Sequence, residues 1–231
     1  MRCKVGTSLL DKLDKLIGAA GIEEIDFDRK FTAIKIHFGE PGNLSFLRPN
    51  FAKVVADKVR ELGGKPFLTD CNTLYVGRRN NALAHLEAAY ENGYSPVSTG
   101  CHVSIVDGIK GTDEVDVPVE GGQYVQSAKI GRAIMDADII ISLNHFKGHE
   151  GTGFGGAIKN LGMGCGSRAG KMIMHNEGKP EVRAKKCVTC KVCARFCDVQ
   201  AIDFEPGIVH IDHDKRVGCG RCIRACNFNA I

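Results

Sequence analysis

Apolar residues recur at helical spacing over Leu9, Leu10, Leu13, Leu16 and Ile17, with Ser8 and Asp11 placed as a capping box and Gly21 as a stop. The pattern predicts a first helix between them. Residues 31–38 alternate instead, which predicts a strand with Thr32, Ile34, Ile36 and Phe38 on one side and Lys35 and His37 on the other. A Gly- and Pro-containing loop leads to a helix opening at Pro49 or Asn50. Its stripe is Phe51, Val54, Val55, Val59 and Leu62, and Gly63-Gly64 ends it. A strand over 66–70, the polar loop Cys71-Asn72-Thr73 and a helix over 81–91 carrying Leu83, Leu86, Ala89 and Tyr90 follow. Strands are expected over 101–106, 114–119 and 124–130, a short helix over 130–136, and a buried strand over 137–143. Strands alternating with helices predict an α/β fold with a layered, mostly parallel sheet. Near Pro180 the composition changes. Residues 1–180 form the expected α/β domain and residues 181–231 a small, Cys-rich α+β module.

Composition adds little until the cysteines are placed. The chain has 231 residues, 43% hydrophobic and 25% charged, which suits a globular protein with a real core. A net charge of +4 without a Lys/Arg block gives no support to a nucleic-acid partner. No apolar run approaches the length of a membrane span, and the N-terminal residues lack the apolar core of a secretion signal. A cytoplasmic location is expected, so the eleven cysteines are metal ligands or free thiols. Cys3, Cys71, Cys101 and Cys165 are scattered and read as thiols.

The other seven carry chemistry. Cys187, Cys190, Cys193 and Cys197 follow the spacing C-x2-C-x2-C-x3-C, and Cys219, Cys222 and Cys226 repeat most of it. This is how bacterial ferredoxins hold cubane clusters: three thiolates curl round one cluster while the fourth reaches another. The segments VCARFCDVQAI and RCIRACNFNAI are an internal repeat of that unit. By that pattern Cys187, Cys190, Cys193 and Cys226 complete one 4Fe-4S cluster. Cys197, Cys219 and Cys222 leave the second short of a ligand, because position 216 is Arg216. Arginine stays protonated and does not ligate, so the second group is a 3Fe-4S cluster or an incompletely ligated 4Fe-4S cluster. A zinc knuckle is the alternative use of paired C-x2-C motifs.

A second dense stretch runs from the strand over 137–143 into His145, Lys147, His149, Gly151, Gly153, Gly155, Gly156 and Lys159, with His175 beyond. Glycines opening a helix after a parallel strand make an anion nest, and open α/β sheets bind ligands beyond the carboxyl ends of their strands. Gly151, Gly153 and Gly156 satisfy G-x-G-x-x-G, but too far from the strand for a good dinucleotide fingerprint. His37 and Asp70 end their own strands and face the same crevice in this reading. The expectation is a small anionic ligand or an organometallic cofactor, with His149, Lys159 and His145 catalytic and Lys147, His175 and the glycines binding.

The segments KIHFGEPGN (35–43), GGKPFLTDCNTLYVG (63–77) and ISLNHFKGHEGTGFGGAIKNLGMGCGSRAGK (141–171), followed by the paired cysteine motifs, closely resemble the family called domain of unknown function 362. The resemblance implies an iron–sulfur protein of anaerobic metabolism, with no settled reaction. Arg216 departs from it, standing where relatives have a cysteine, and many relatives continue beyond the last residue here, so part of a catalytic domain is expected to be missing. The stretch from His149 to His175 also looks like the amino-terminal domain of the lactate racemase family. That analogy implies His149 as acid/base, Lys159 as cofactor attachment and His175 as a nickel ligand. Three functions are therefore expected as rivals: electron transfer coupled to reduction or oxidation of a small anionic ligand, a pure electron carrier working with a redox partner protein, or a non-redox isomerase-like enzyme.

Overall fold

The computed structural model describes residues 7–74, 77–123, 125–149, 153–176, 180–216 and 221–231. The chain forms two units, Met1–Ala169 and Gly170–Ile231, which divide within one helix.

In the first unit, α1 (Leu9–Ala19) starts at the capping box of Ser8 and Asp11, and a 3-10 turn, Ile22–Glu24, follows the left-handed Gly21. The apolar face of α1 is not a core face: none of its residues is buried, and Ile17 alone packs beside Ile22, Phe27 and Val59. β1 (Phe31–Lys35) comes next, then α2 (Pro49–Glu61), with Pro at its first turn where no N–H is needed. The buried stripe of α2 is Ala52, Val55, Ala56 and Val59: Val55 and Val59 as expected, but with two alanines in place of the expected Phe51, Val54 and Leu62. The alanines let the helix lie close on the sheet, and Val54 is turned partly outward.

β2 (Lys65–Asp70) follows Gly64, where a Cβ would come within 2.6 Å of Val59. α3 (Ala82–Glu91) is capped by the Asn81 side chain and buries Ala82, His85, Ala88 and Ala89. Leu83 and Tyr90, expected inside, are exposed. A polar residue, His85, therefore holds the centre of this face. α4 (Pro96–Thr99) and β3 (Val103–Ile105) complete this half.

β4 (Glu114–Pro118) and β5 (Ser127–Gly131) form an antiparallel pair, and α5 (Arg132–Met135) leads into β6 (Ile139–Ser142). The main sheet has the order β3-β2-β1-β6 and is parallel throughout. The protein is thus α/β, with β1 central and buried along both faces. Ile34, Ile36 and Phe38 pack against α2, Ala89 and Tyr94 on one side; Ala33 meets Cys71, Val106, Ile134 and Cys165 on the other.

From β1 the chain winds outward through β2 to β3, then returns to pair β6 on the opposite side of β1. This makes the β1–β6 boundary the topological switch point, where such sheets open to ligands. There β7 (Lys147–His149) and β8 (Gly153–Gly155) form a hairpin, followed by α6 (Ala157–Gly162) and α7 (Arg168–Asn176), within which the two units divide. The glycines expected to open a helix are used differently. Gly153 and Gly155 lie in β8, and Gly156 caps the six-residue α6. Cross-strand pairing of Lys147 with Gly155 and His149 with Gly153 takes up the segment before a helix can form.

The second unit contains α8 (Val192–Arg195), the hairpin β9 (Ile202–Glu205) and β10 (Ile208–Ile211), and α9 (Arg221–Ala225). Its small core of Cys193, Ile202, Val209 and Ile211 is rimmed by Cys187, Cys197 and Cys222. Among the described residues no helix is long and apolar enough to cross a membrane.

Candidate metal centre and buried polar network

The cysteine unit is a pseudo-repeat in its backbone as well as its sequence. The amide of Arg183 donates to Ala230 and that of Cys187 to Arg183; the amide of Asp212 donates to Ala201 and that of Arg216 to Asp212. Cys197 and Cys226 correspond in turn. Each is followed three residues later by a left-handed residue, Gln200 or Asn229. That turn aims the next amide back at sulfur: Ala201 N–H donates to Cys197 Sγ at 3.2 Å and Ala230 N–H to Cys226 Sγ at 3.3 Å. The amide of Ala230 holds the Cys226 thiol below its ordinary pKa, as a ligand thiolate requires. Thr189 and Lys191, also left-handed, curl the first run so that Cys187, Cys190 and Cys193 turn one way.

Cys187, Cys190, Cys193 and Cys226 line one small cavity that opens to solvent, walled by Val182, Val209 and Phe204. These are the four residues that the repeat assigns to one cluster. Among the described residues no three His, Cys, Asp or Glu converge closely enough for a single ion; the thiols ring a void instead. Soft thiolate donors on an apolar wall with amides pointing at sulfur fit an iron–sulfur cluster. In the other half Cys197 and Cys222 are half-buried, Arg216 occupies the place of Cys187, and Cys219 lies outside the described residues.

The first unit holds a second concentration of chemistry, which the sequence only hinted at. Lys35, at the end of β1, is 1% exposed. Its ammonium lies 3.0 Å from Asp70 Oδ1 at the end of β2 and donates to Asn160 Oδ1 on α6 at 2.8 Å. Asn160 also donates from Nδ2 to the Lys35 carbonyl and to Ser142 Oγ at the end of β6, both at 3.0 Å. One amide side chain thus closes the switch point between β1 and β6. Gly164 must be glycine here, since a Cβ would collide with the Asn160 carbonyl oxygen, with Lys35 Nζ at 2.6 Å beyond it.

Beyond Asp70, the loop 71–79 folds back through a bond from the Thr73 amide to the Arg79 carbonyl. Arg79 then reaches Asp70 Oδ2 at 3.3 Å and donates from Nε to Glu40 at 3.0 Å. His85 Nε2 is 3.8 Å from the same Asp70 oxygen. Burial alone would raise the Asp70 carboxyl, but the charges of Lys35, His85 and Arg79 outweigh it and hold it well below the usual carboxylate range. Burial pushes the His85 imidazole down to about 4, against the opposing pull of Asp70. His37 ends its segment as expected, with Nδ1 accepting from the Gly39 amide at 3.0 Å. The signal for this network was in the sequence, as Lys35 inside an apolar strand and Asp70 closing another; Arg79, His85 and Asn160 carried none.

Of the crevice residues, the structure brings His149 and Lys159 together: Lys159 Nζ donates to His149 Nε2. Burial, then the neighbouring Lys147 charge, lowers the Lys159 amine. His145 and Lys147 are exposed, and Gly155 lies under the methylenes of both Lys147 and Lys159. His175 belongs to α7 and the second unit, and Gly151 lies outside the described residues.

A thylakoid-associated protein of Synechocystis is 29% identical over 131 residues, 54% of this chain and 35% of the relative. An uncharacterized ferredoxin of Methanocaldococcus jannaschii is 37% identical over 60 residues, 26% of this chain and 36% of the relative. Pyruvate synthase subunit PorD of Thermotoga maritima is 37% identical over 54 residues, 23% of this chain and 54% of the relative. The chain therefore spans about a third to a half of the length of these curated relatives. Residues 32–216, which include Lys35, Asp70, His149, Lys159 and the first cysteine run, match one family in a single stretch: the chain belongs to the family described as domain of unknown function 362 (DUF362).

Proposed function

We propose that this chain is an iron–sulfur electron-transfer protein whose α/β unit carries out a redox reaction on a small anionic ligand. The observation that carries the first part is the gathering of Cys187, Cys190, Cys193 and Cys226 round one cavity. Those four thiolates hold a 4Fe-4S cluster, which supplies a one-electron donor and acceptor. The ferredoxin and PorD relatives support the same role for the module that holds the cysteines. The second position, with Cys197, Cys219 and Cys222 but Arg216 in the fourth place, holds a 3Fe-4S cluster or a 4Fe-4S cluster with one iron free of protein sulfur. Cytoplasmic reducing conditions suit cysteines kept as thiolate ligands.

The chain's own residues divide the remaining work. Amides of Ala201 and Ala230 stabilise negative charge on sulfur, and the apolar wall limits water at the cavity. In the α/β unit, Lys147, Lys159 and His149 place positive or proton-bearing groups on and beside the hairpin, with the glycines at 153, 155 and 156 allowing close approach of an anion. Lys159 and His149 exchange a proton directly in this arrangement. The Lys35–Asp70–Arg79 network fixes the strand ends beneath them without reaching the ligand.

Iron and acid-labile sulfide analysis of anaerobically purified protein, with EPR of both redox states, tests the cluster assignment. H149A and K159A test the crevice: each is expected to abolish ligand binding and turnover while leaving the cluster signal intact. The Lys159–His149 contact also suits the isomerase-like reading with an organometallic group. Nickel accompanying iron in the purified protein, with His175 needed for its retention, would favour that reading.

A further inference from the structure

The charge of the chain is concentrated on one unit. Residues 170–231 hold eleven Lys and Arg against seven Asp and Glu, so this unit carries the chain's whole formal charge of +4. Within it, the stretch from Arg183 to Arg195 contains five basic residues, Arg183, Lys185, Lys186, Lys191 and Arg195, and no acidic one. All five are exposed. Lys215 pairs with Asp212, whereas Lys185, Lys186, Lys191 and Arg195 pair with no carboxylate of the described residues. This basic stretch is also the loop that presents Cys187, Cys190 and Cys193.

The cavity opens on the same side. Val188 is 54% and Phe228 47% exposed, and both line it together with Cys190 and Lys191. An apolar lip at the mouth of the cysteine-lined cavity, bordered by exposed cations without carboxylate partners among the described residues, has the composition of a docking interface: a dry centre with a charged rim. Charged rims set encounter rates and partner choice more than final affinity.

We propose that the lip formed by Val188, Cys190 and Phe228, with Lys185, Lys186, Lys191 and Arg195 around it, docks the acidic face of an electron-transfer protein. This rests on the cluster assignment above and names the partner's chemistry. The exchange moves one electron across the lip, raising the oxidation state of one metal centre and lowering the other; no bond breaks and no proton moves.

The test is stopped-flow electron transfer from the dithionite-reduced full chain, over a range of salt concentrations, to an acidic two-cluster ferredoxin and separately to a basic cytochrome. The expected rate constant favours the acidic partner by about tenfold or more at low salt and falls steeply as salt screens the charges. K185E/K186E, which lies outside the ligand run, should lose about tenfold with the acidic partner and weaken the salt dependence, with an unchanged EPR signal. K185E/K186E/K191E should reverse the preference. Rates indifferent to partner charge, or variants that shift only the midpoint potential, overturn the proposal and leave the lysines as charge balance for the metal centre. Sedimentation with anionic vesicles without any partner preference overturns it in favour of a lipid surface. A wild-type chain that assembles no cluster refutes the underlying assignment instead.

Discussion

Arg216 stands where Cys187 stands. Its amide donates to the Asp212 carbonyl at 3.2 Å, as the amide of Cys187 donates to that of Arg183 at 3.1 Å. Asp212 and Arg183 are themselves tied to Ala201 and Ala230, the residues whose amides bond the two crossing cysteines or whose carbonyls receive those ties. The backbone of the second half therefore repeats that of the first at a position where the side chain is Arg instead of Cys.

R216C supplies that cysteine. The variant should gain iron and convert a three-iron EPR signal of the oxidised protein into a second four-iron signal on reduction. If the wild type already shows two ordinary four-iron signals and R216C changes neither, the missing ligand has been replaced from elsewhere and the argument from Arg216 fails.

The core of the second unit, Cys193, Ile202, Val209 and Ile211, is small, and units of this size need a metal or other staple. Chelation or oxidative loss of the clusters should melt this unit while the α/β unit keeps its hydrogen-exchange protection. Equal protection of the second unit with and without iron would show that the clusters contribute nothing to its stability.

Lys35 and Asp70 form a buried pair. Removing Asp70 leaves Lys35 buried with only the Asn160 amide, at a cost of about 3–5 kcal/mol; removing Lys35 costs less, because Asp70 keeps Arg79 at 3.3 Å. D70N should therefore destabilise the first unit more than K35M in urea melts. K35M/D70L should recover only part of the loss, because Arg79 is left with Glu40 as its counter-ion. N160A should cost less, about 1–3 kcal/mol for the groups it leaves unsatisfied, and should loosen the β6 edge in hydrogen exchange.

Acid stability follows from His85. Its imidazole titrates near 4 in the folded protein against 6.5 when free. Between these values the unfolded chain binds a proton that the folded one refuses. Stability is full above about pH 6.5 and falls as pH drops towards 4, by about 3 kcal/mol in all. Asp70, held below the usual carboxylate range, adds a further loss at still lower pH. H85Q should flatten the first decline in chemical melts across this window, and an unchanged slope would contradict the assignment.

The reading from sequence succeeded where one side chain fixes the local geometry. Ser8 and Asp11 make a capping box, Pro49 opens α2, Asn81 caps α3, and the strands around 31, 65 and 139 are parallel, with β1 and β2 inside the sheet; β6, expected to be buried, lies at the edge with Ile140 exposed. It failed where tertiary contacts decide which face is inside. Leu83 and Tyr90 look like a core stripe, yet α3 turns His85 inward because Asp70 and Arg79 lie beneath it. The glycines after His149 look like a helix start, yet hairpin pairing claims Gly153 and Gly155. The Lys35–Asp70–Asn160 bridge joins residues up to 125 apart in sequence, and no local pattern marks such a partner. Cysteine spacing, by contrast, grouped Cys187, Cys190, Cys193 and Cys226, which do line one cavity, because a short, repeated interval is legible without tertiary contacts.

Mössbauer and EPR spectra of anaerobically iron-reconstituted wild type and C226S test the central claim most directly. The wild type should contain sulfide and a four-iron cluster, and C226S should lose that signal while keeping the one belonging to Cys197, Cys219 and Cys222. Zinc without sulfide in the wild type, or a four-iron signal untouched by C226S, would contradict the assignment of Cys187, Cys190, Cys193 and Cys226 to one cluster.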